Sequence, residues 1–252
     1  MIFSFILSGV FAGTQFFLAS NDDWNTSDRF VPSVHEVLIP IGFDDNDLTE
    51  LVVDIEFRDS CEDFYGAQVI RQPELNDVLL LQVEAKRREG MCLEVINRQP
   101  FIVKIGELDR NESGYKIVDF KTMNRTYGKL RVRQANSSKI DENNYAPVTS
   151  LRAKEELNGL RRNVELAGFF MDTCTFFKEV HVARTNGNLI EVLPIIDRVD
   201  SPDCEKRPVA FNQVVEIPQR SGQHRVDSGR YIFYVRTANG GSFVTQDYLV
   251  YE

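Results

Sequence analysis

The residues of this chain best suited to chemistry are three histidines, four cysteines and one dense run of carboxylates. A Ser/His/Asp or Cys/His centre needs a base that a third group holds in place. His35, His181 and His224 show no such company: His181 sits in an alternating segment and reads as a sheet-surface residue, and His224 lies in the polar 220–225 loop. G-x-S-x-G, H-E-x-x-H and C-x-x-C are all missing, which removes the spacings of hydrolase elbows, zinc hydrolases, zinc ribbons and thioredoxin-type centres. A blue-copper site needs a free cysteine beside two histidines, and the cysteines here have another use. The expectation is therefore no catalytic residue and no cofactor. Asp44, Asp45 and Asp47, with Glu50, are the oxygens calcium takes. An EF-hand needs glycine at the sixth position, and counting from Asp45 that position is Glu50. A solvated acidic turn is expected, with weak calcium binding as its alternative.

The cysteines belong to a repeat. Asp59-Ser60-Cys61-Glu62-Asp63-Phe64 returns as Asp172-Thr173-Cys174-Thr175-Phe176-Phe177, 113 positions later. Val53, Ile55 and Phe57 lead into the first copy; Leu166, Gly168 and Phe170 lead into the second. A further cysteine follows each, Cys92 after 31 positions and Cys204 after 30. A repeated unit that closes its own staple pairs Cys61 with Cys92 and Cys174 with Cys204. Each bridge would close a loop of roughly 30 residues and contribute about 3–4 kcal/mol. Such staples need an oxidising compartment.

Residues 2–19 are almost wholly apolar and a polar stretch follows at 21–23, the pattern of a secretory signal peptide over 1–20. Residues 21–33 read as a disordered segment, 34–134 as the first copy, 135–149 as a linker and 150–252 as the second copy. The linker, polar and nearly free of apolar residues, should leave the copies to fold separately. Beyond the leader no segment approaches ~18 uninterrupted apolar residues, so no membrane span is expected once it is removed. Residues 21–145 hold 24 acids and 16 bases, whereas 146–252 hold 14 and 13. The acidity sits on the first copy and argues against nucleic acid and anionic membranes. Asn25, Asn111, Asn124 and Asn136 fit N-x-[ST], which matters only in a glycosylating host.

The elements that must position these residues are strands. Val53, Ile55 and Phe57 alternate with Asp54, Glu56 and Arg58, a half-buried strand with its acids in solvent. Leu79, Leu81, Val83 and Ala85 share a face, as do Phe101, Val103 and Ile105. Residues 91–96 are a further strand candidate. Residues 151–160 could form a short helix that Gly159 stops. In the second copy, Tyr231, Phe233 and Val235 alternate with Ile232, Tyr234 and Arg236. Phe176, Phe177, Tyr248 and Tyr251 could form a binding patch, but burial is the expectation. Strands at ~8–12-residue spacing with turn residues between them mean a sandwich or barrel.

Asp227-Ser228-Gly229-Arg230-Tyr231 resembles the Asp-x-Gly-x-Tyr of immunoglobulin-like domains, in which the tyrosine hydroxyl caps upstream backbone. The first copy has the shorter Glu112-Ser113-Gly114-Tyr115. The resemblance implies an all-β chain of two tandem immunoglobulin-like antiparallel sandwiches, each with one disulfide. The Cys…Trp…Cys spacing of antibody domains is missing, so the bridge is not their inter-sheet one. The reading is a secreted or periplasmic, non-enzymatic binding or structural protein. Its expected partner is protein or carbohydrate at the cell envelope or exterior. An enzyme inhibitor, an enzyme of unrecognised type and an envelope-assembly subunit are the alternatives.

Overall fold

Hydrophobic alternation builds strands along this chain, and no helix occurs among the described residues. The computed structural model describes residues 29–251 apart from 73, 76, 139, 140, 142, 157, 158, 186, 222 and 223. The signal peptide expected over 1–20, and residues 21–28 of the expected disordered segment, lie outside the described residues. The first copy runs through β1 (Arg29–Phe30), β2 (Ser33–Leu38), β3 (Phe43–Asp44), β4 (Thr49–Phe57), β5 (Glu62–Arg71), β6 (Val78–Arg87), β7 (Asn97–Gly106), β8 (Asn111–Asp119) and β9 (Thr126–Arg133). The second runs through β10 (Val148–Lys154), β11 (Asn163–Phe170), β12 (Thr175–Arg184), β13 (Leu189–Arg198), β14 (Val209–Glu216), β15 (Arg220–Ser221), β16 (His224–Arg225), β17 (Gly229–Thr237) and β18 (Gly241–Leu249).

The two copies share one topology. β2-β4-β7 form an antiparallel sheet, and β10-β11-β14 repeat it. β5-β6-β8-β9 form the facing sheet, and β12-β13-β17-β18 repeat that. In each copy the chain leaves the second sheet to make the edge strand of the first, then returns beside the strand it left. That return makes β6 and β8 parallel, and likewise β13 and β17. The expected purely antiparallel sandwich is corrected accordingly: both large sheets are mixed. β1 pairs with β6, so residues 29–30 of the segment expected to be disordered are ordered strand. The helix expected over 151–160 is absent: residues 148–154 are β10, whose Leu151 is buried in the core facing β11.

The faces read from sequence fill the first core. Leu51, Val53, Ile55 and Phe57 of β4 pack with Leu79, Leu81, Val83 and Ala85 of β6. Most of the opposite face of β4 is buried too, Glu56 alone being partly exposed. Glu50, Val52 and Asp54 are buried beneath the second copy. β17 is two-sided in the same way. Its Tyr231, Phe233 and Val235 enter the second core, while Ile232 and Tyr234 join the first. The stretch expected as a free linker is packed onto the second copy at its far end. Tyr145, Ala146 and Val148 are buried, the Ala146 N–H donates to the Pro194 carbonyl at 2.8 Å, and the Ile196 N–H donates to the Asn144 carbonyl at 2.9 Å. Each copy leaves apolar and charged groups that the other covers, so the copies are in contact and not held apart.

Candidate functional site

Both expected staples are present, Cys61–Cys92 with Cα atoms 5.4 Å apart and Cys174–Cys204 with 5.5 Å. The aspartate two residues before the first cysteine of each staple has one job in both copies. Asp59 Oδ1 accepts the Cys61 N–H at 2.9 Å, and Asp172 Oδ1 accepts the Cys174 N–H at 3.0 Å. The second oxygen of each takes an arginine from the end of the paired strand: Arg87 at 2.7 Å and Arg198 at 3.1 Å. The repeated Asp-x-Cys is thus a turn lock that aims the sulfur. Asp59, Cys61 and Cys92 bring ligand-type atoms within 4.8 Å of one another, but both sulfurs are used in the bridge. The tyrosine of each copy caps backbone. Tyr231 Oη donates to the Asp227 carbonyl at 2.9 Å, and Tyr115 Oη donates to that of Asp109 at 2.9 Å.

The acidic run is spread over separate partners. Asp45 Oδ1 accepts the Ala135 N–H at 2.9 Å, Asp47 Oδ1 accepts the Asp141 N–H at 3.1 Å, and Asp47 Oδ2 accepts the Asp44 N–H at 2.9 Å. Glu50 Oε2 accepts the Tyr234 hydroxyl at 2.9 Å and the Ser242 hydroxyl. No three of Asp44, Asp45, Asp47 and Glu50 bring an oxygen within 4.8 Å of one another. The solvated acidic turn is corrected in part, because Asp44, Asp47 and Glu50 are buried.

These carboxylates open onto a polar layer between the copies that the sequence reading did not identify. Arg230 reaches Asp54 through two hydrogen bonds of 2.8 Å each. Arg236 lies 3.1 Å from Asp141 and 3.8 Å from Asp47, and donates to the carbonyls of Ile41 and Gly42 at 3.3 Å. Glu191, only 1% exposed, accepts the Ile41 N–H at 2.8 Å through Oε1. Its Oε2 has no hydrogen-bond partner among the described residues, and neither has Oγ1 of Thr185. Burial lifts the Glu191 carboxyl to about 7, against the downward pull of the Ile41 N–H and Arg236. Burial outweighs the nearby cation, so the carboxyl takes up its proton at a far higher pH than an exposed one. The signal for this layer was the charged residues within β4 and β17, where the alternating pattern assigns them to solvent.

The histidines assemble no centre. His35 Nε2 lies 3.3 Å from Arg98, and His181 Nε2 lies 3.2 Å from Glu179 Oε1. His224 opens β16, and its side chain lies outside the described set. Two cavities adjoin on the first copy and share Tyr127 as a wall. One, of about 510 Å³, is lined by His35, Glu36, Arg125 and Lys129 among others. The other, of about 370 Å³, is lined by Val31, Val34, Leu81, Val83 and Phe120 among others.

Residues 91–96, expected as a strand, find no partner strand and form an open loop into β7. Met91 is 102% exposed, Leu93 71% and Ile96 69%. The Cys61–Cys92 bridge anchors the loop, and Ser60 holds both sides of Leu93: its Oγ accepts the Leu93 N–H and its N–H donates to the Leu93 carbonyl. The matching loop of the second copy, 199–208, carries Asp200, Asp203, Glu205, Lys206 and Arg207. The aromatic residues divide. Phe177 packs on the second core, and the Tyr251 hydroxyl reaches the Ile217 carbonyl at 3.0 Å. Phe176 and Tyr248 are exposed, against the expectation of burial.

Fold and site together define an all-β protein of two disulfide-stapled copies joined by a buried polar seam. Comparison with family models, curated proteins and solved structures returns no match to this chain.

Proposed function

We propose that the chain is a secreted or periplasmic binding protein without catalytic activity, built of two immunoglobulin-like sandwiches, and that the stapled apolar loop of the first copy is its recognition element. The contrast between the two staple loops carries this reading. Both copies keep the bridge, the aspartate lock and its arginine, so the staple itself does not require apolar side chains. The first loop places four large apolar side chains, Met91, Leu93, Val95 and Ile96, in solvent, whereas the second places one, Val199. Apolar groups held in water at a fixed position gain free energy when a partner covers them. Glu89 precedes them and Glu94 lies among them, both exposed, which fits a protein cleft with an apolar floor and a basic rim. Two disulfides suit an oxidising compartment.

A photo-reactive residue at Leu93, with one at Lys206 as the control, tests this in intact source cells. An adduct from position 93 and none from 206 supports it; none from either, or equal yields from both, refutes it. A hydrolase panel addresses activity, and turnover abolished by His35→Ala or His181→Ala would overturn the non-enzymatic reading. The second reading, an assembly subunit, is favoured by β14. It pairs only with β11 among the described residues and contains neither proline nor lysine. Such an edge accepts a further strand.

A further inference from the structure

We propose that the paired cavities beside Tyr127 bind a small amphiphile, an aliphatic chain carrying an anionic head group. This site is separate from the stapled loop and does not depend on its role. The argument begins with the connection between β8 and β9. In the first copy six residues, 120–125, span it; in the second, three residues, 238–240, make the matching turn between β17 and β18. The longer connection exists only in the first copy, and it supplies Phe120, Lys121 and Arg125 to the cavities.

The connection is built to stay open. Asp119 Oδ1 accepts the Thr122 N–H at 2.7 Å, and its Oδ2 accepts the Tyr127 hydroxyl at 2.8 Å. The Arg125 guanidinium stands 4.8 Å from the Tyr127 ring centre and donates to the carbonyls of Val34 and His35 at 3.2 and 3.3 Å. Tyr127 is therefore fixed as a partition between an apolar well and a polar mouth. The well has Val34, Leu81 and Val83 as its floor, with Val31 and Phe120 exposed at its rim. The mouth sets Arg125 and Lys129 against a single carboxylate, Glu36. That balance is positive inside the copy that carries most of the chain's acidity. Gly128 lets the Ile39 side chain lie against the backbone at the mouth, because a Cβ there would stand 2.7 Å from Ile39 Cδ1.

Each volume falls within the roughly 300–1,000 Å³ of small-ligand sites. An alkyl chain in the well gains about 0.8 kcal/mol per buried methylene. An anionic head at the mouth adds charge-assisted hydrogen bonds, the stronger kind. A strand inserted between β2 and β9 is a poorer fit, since Arg125 already holds two carbonyls of the β2 stretch.

Calorimetric titration of the intact protein with decanoate, decanol and decyltrimethylammonium tests the proposal. Decanoate should bind saturably, more tightly than the other two. Lys129→Gln, an exposed change that leaves the fold alone, should weaken decanoate by about tenfold. Phe120→Ser should weaken decanoate and decanol alike. Circular dichroism identical to the parent shows that either variant is folded. No saturable binding below the micelle concentration overturns the proposal. So does an unchanged affinity in Lys129→Gln, or decyltrimethylammonium matching decanoate.

Discussion

Replacing Glu191 by glutamine should change how the stability of this protein depends on pH. The carboxyl stands at about 7 in the folded chain against 4.5 for the ordinary group. Folding therefore favours the protonated form. The stabilisation is complete below about pH 4.5 and is lost as pH rises through about 7. The gap corresponds to about 3 kcal/mol, a large share of the ~5–15 kcal/mol typical of a folded protein. The groups facing Glu191 are the Arg236 cation, the Ile41 N–H and the Thr185 hydroxyl. Arg236 stays charged across this range, so the titration belongs to Glu191. Glutamine keeps an acceptor for the Ile41 N–H and carries no charge at any pH. Urea unfolding from about pH 5 to about pH 8 reads the effect as a shift in midpoint at constant slope. Near pH 5 parent and variant should be similarly stable; near pH 8 the variant should be ahead by up to about 3 kcal/mol. Glu36 and Asp141, both raised by burial, titrate in both proteins and cancel in the difference. A difference that stays constant across the range, or that favours the parent at high pH, refutes the assignment.

Three further outcomes follow from the same geometry. Asp54→Ala leaves Arg230 only Gln246 and the Arg98 carbonyl as acceptors and should cost up to about 3–5 kcal/mol in urea unfolding; a loss below about 1 kcal/mol would mean that these and water substitute for the carboxylate. Removing the first staple with Cys61→Ala and Cys92→Ala should cost about 3–4 kcal/mol and open residues 91–96 to proteases, whereas unchanged cleavage would show that Ser60 alone holds the loop. Tyr231→Phe deletes the hydroxyl that both donates to Asp227 and accepts from it. It should cost about 1–2 kcal/mol, measured as a lower unfolding midpoint; an unchanged midpoint would show that the cap contributes nothing.

Alternation and spacing made the cores and staples legible. Val53, Ile55 and Phe57, or Leu79 to Ala85, need only a period of two to find their face, and the nearly equal intervals within the repeat, 31 and 30, pointed to which cysteines meet. The tyrosine cap was legible because the motif is local. What escaped depends on distant surfaces. Asp54 alternates as a solvent residue does, and nothing nearby in sequence announces that Arg230 will cover it. The same holds for Glu50 beneath Tyr234. The parallel pairing of β6 with β8 follows from a crossover, which hydrophobic pattern does not encode. Residues 91–96 have strand composition, but a strand needs a partner, and the staple turns this stretch outward. Residues 151–160 carry helix formers, yet Leu151 and Val164 gain more by packing in one core. The cavities beside Tyr127 rest on the length of one connection, visible only once the copies are aligned by topology.

The two copies meet face to back: the polar side of β4 receives the outer side of β17. A contact of that kind is open-ended, and a third unit could in principle stack on either end and begin a fibre. The two outward surfaces lack the groups that make the inner contact. On β11 the positions matching Glu50 and Asp54 are Asn163 and Ala167, and on β8 those matching Arg230 and Tyr234 are Gly114 and Val118. Neither end offers the bidentate ion pair or the tyrosine–glutamate bond that joins the units inside. The contact is therefore particular to this pair of faces: the same module carries the joining groups on one side of each copy and different chemistry on the other.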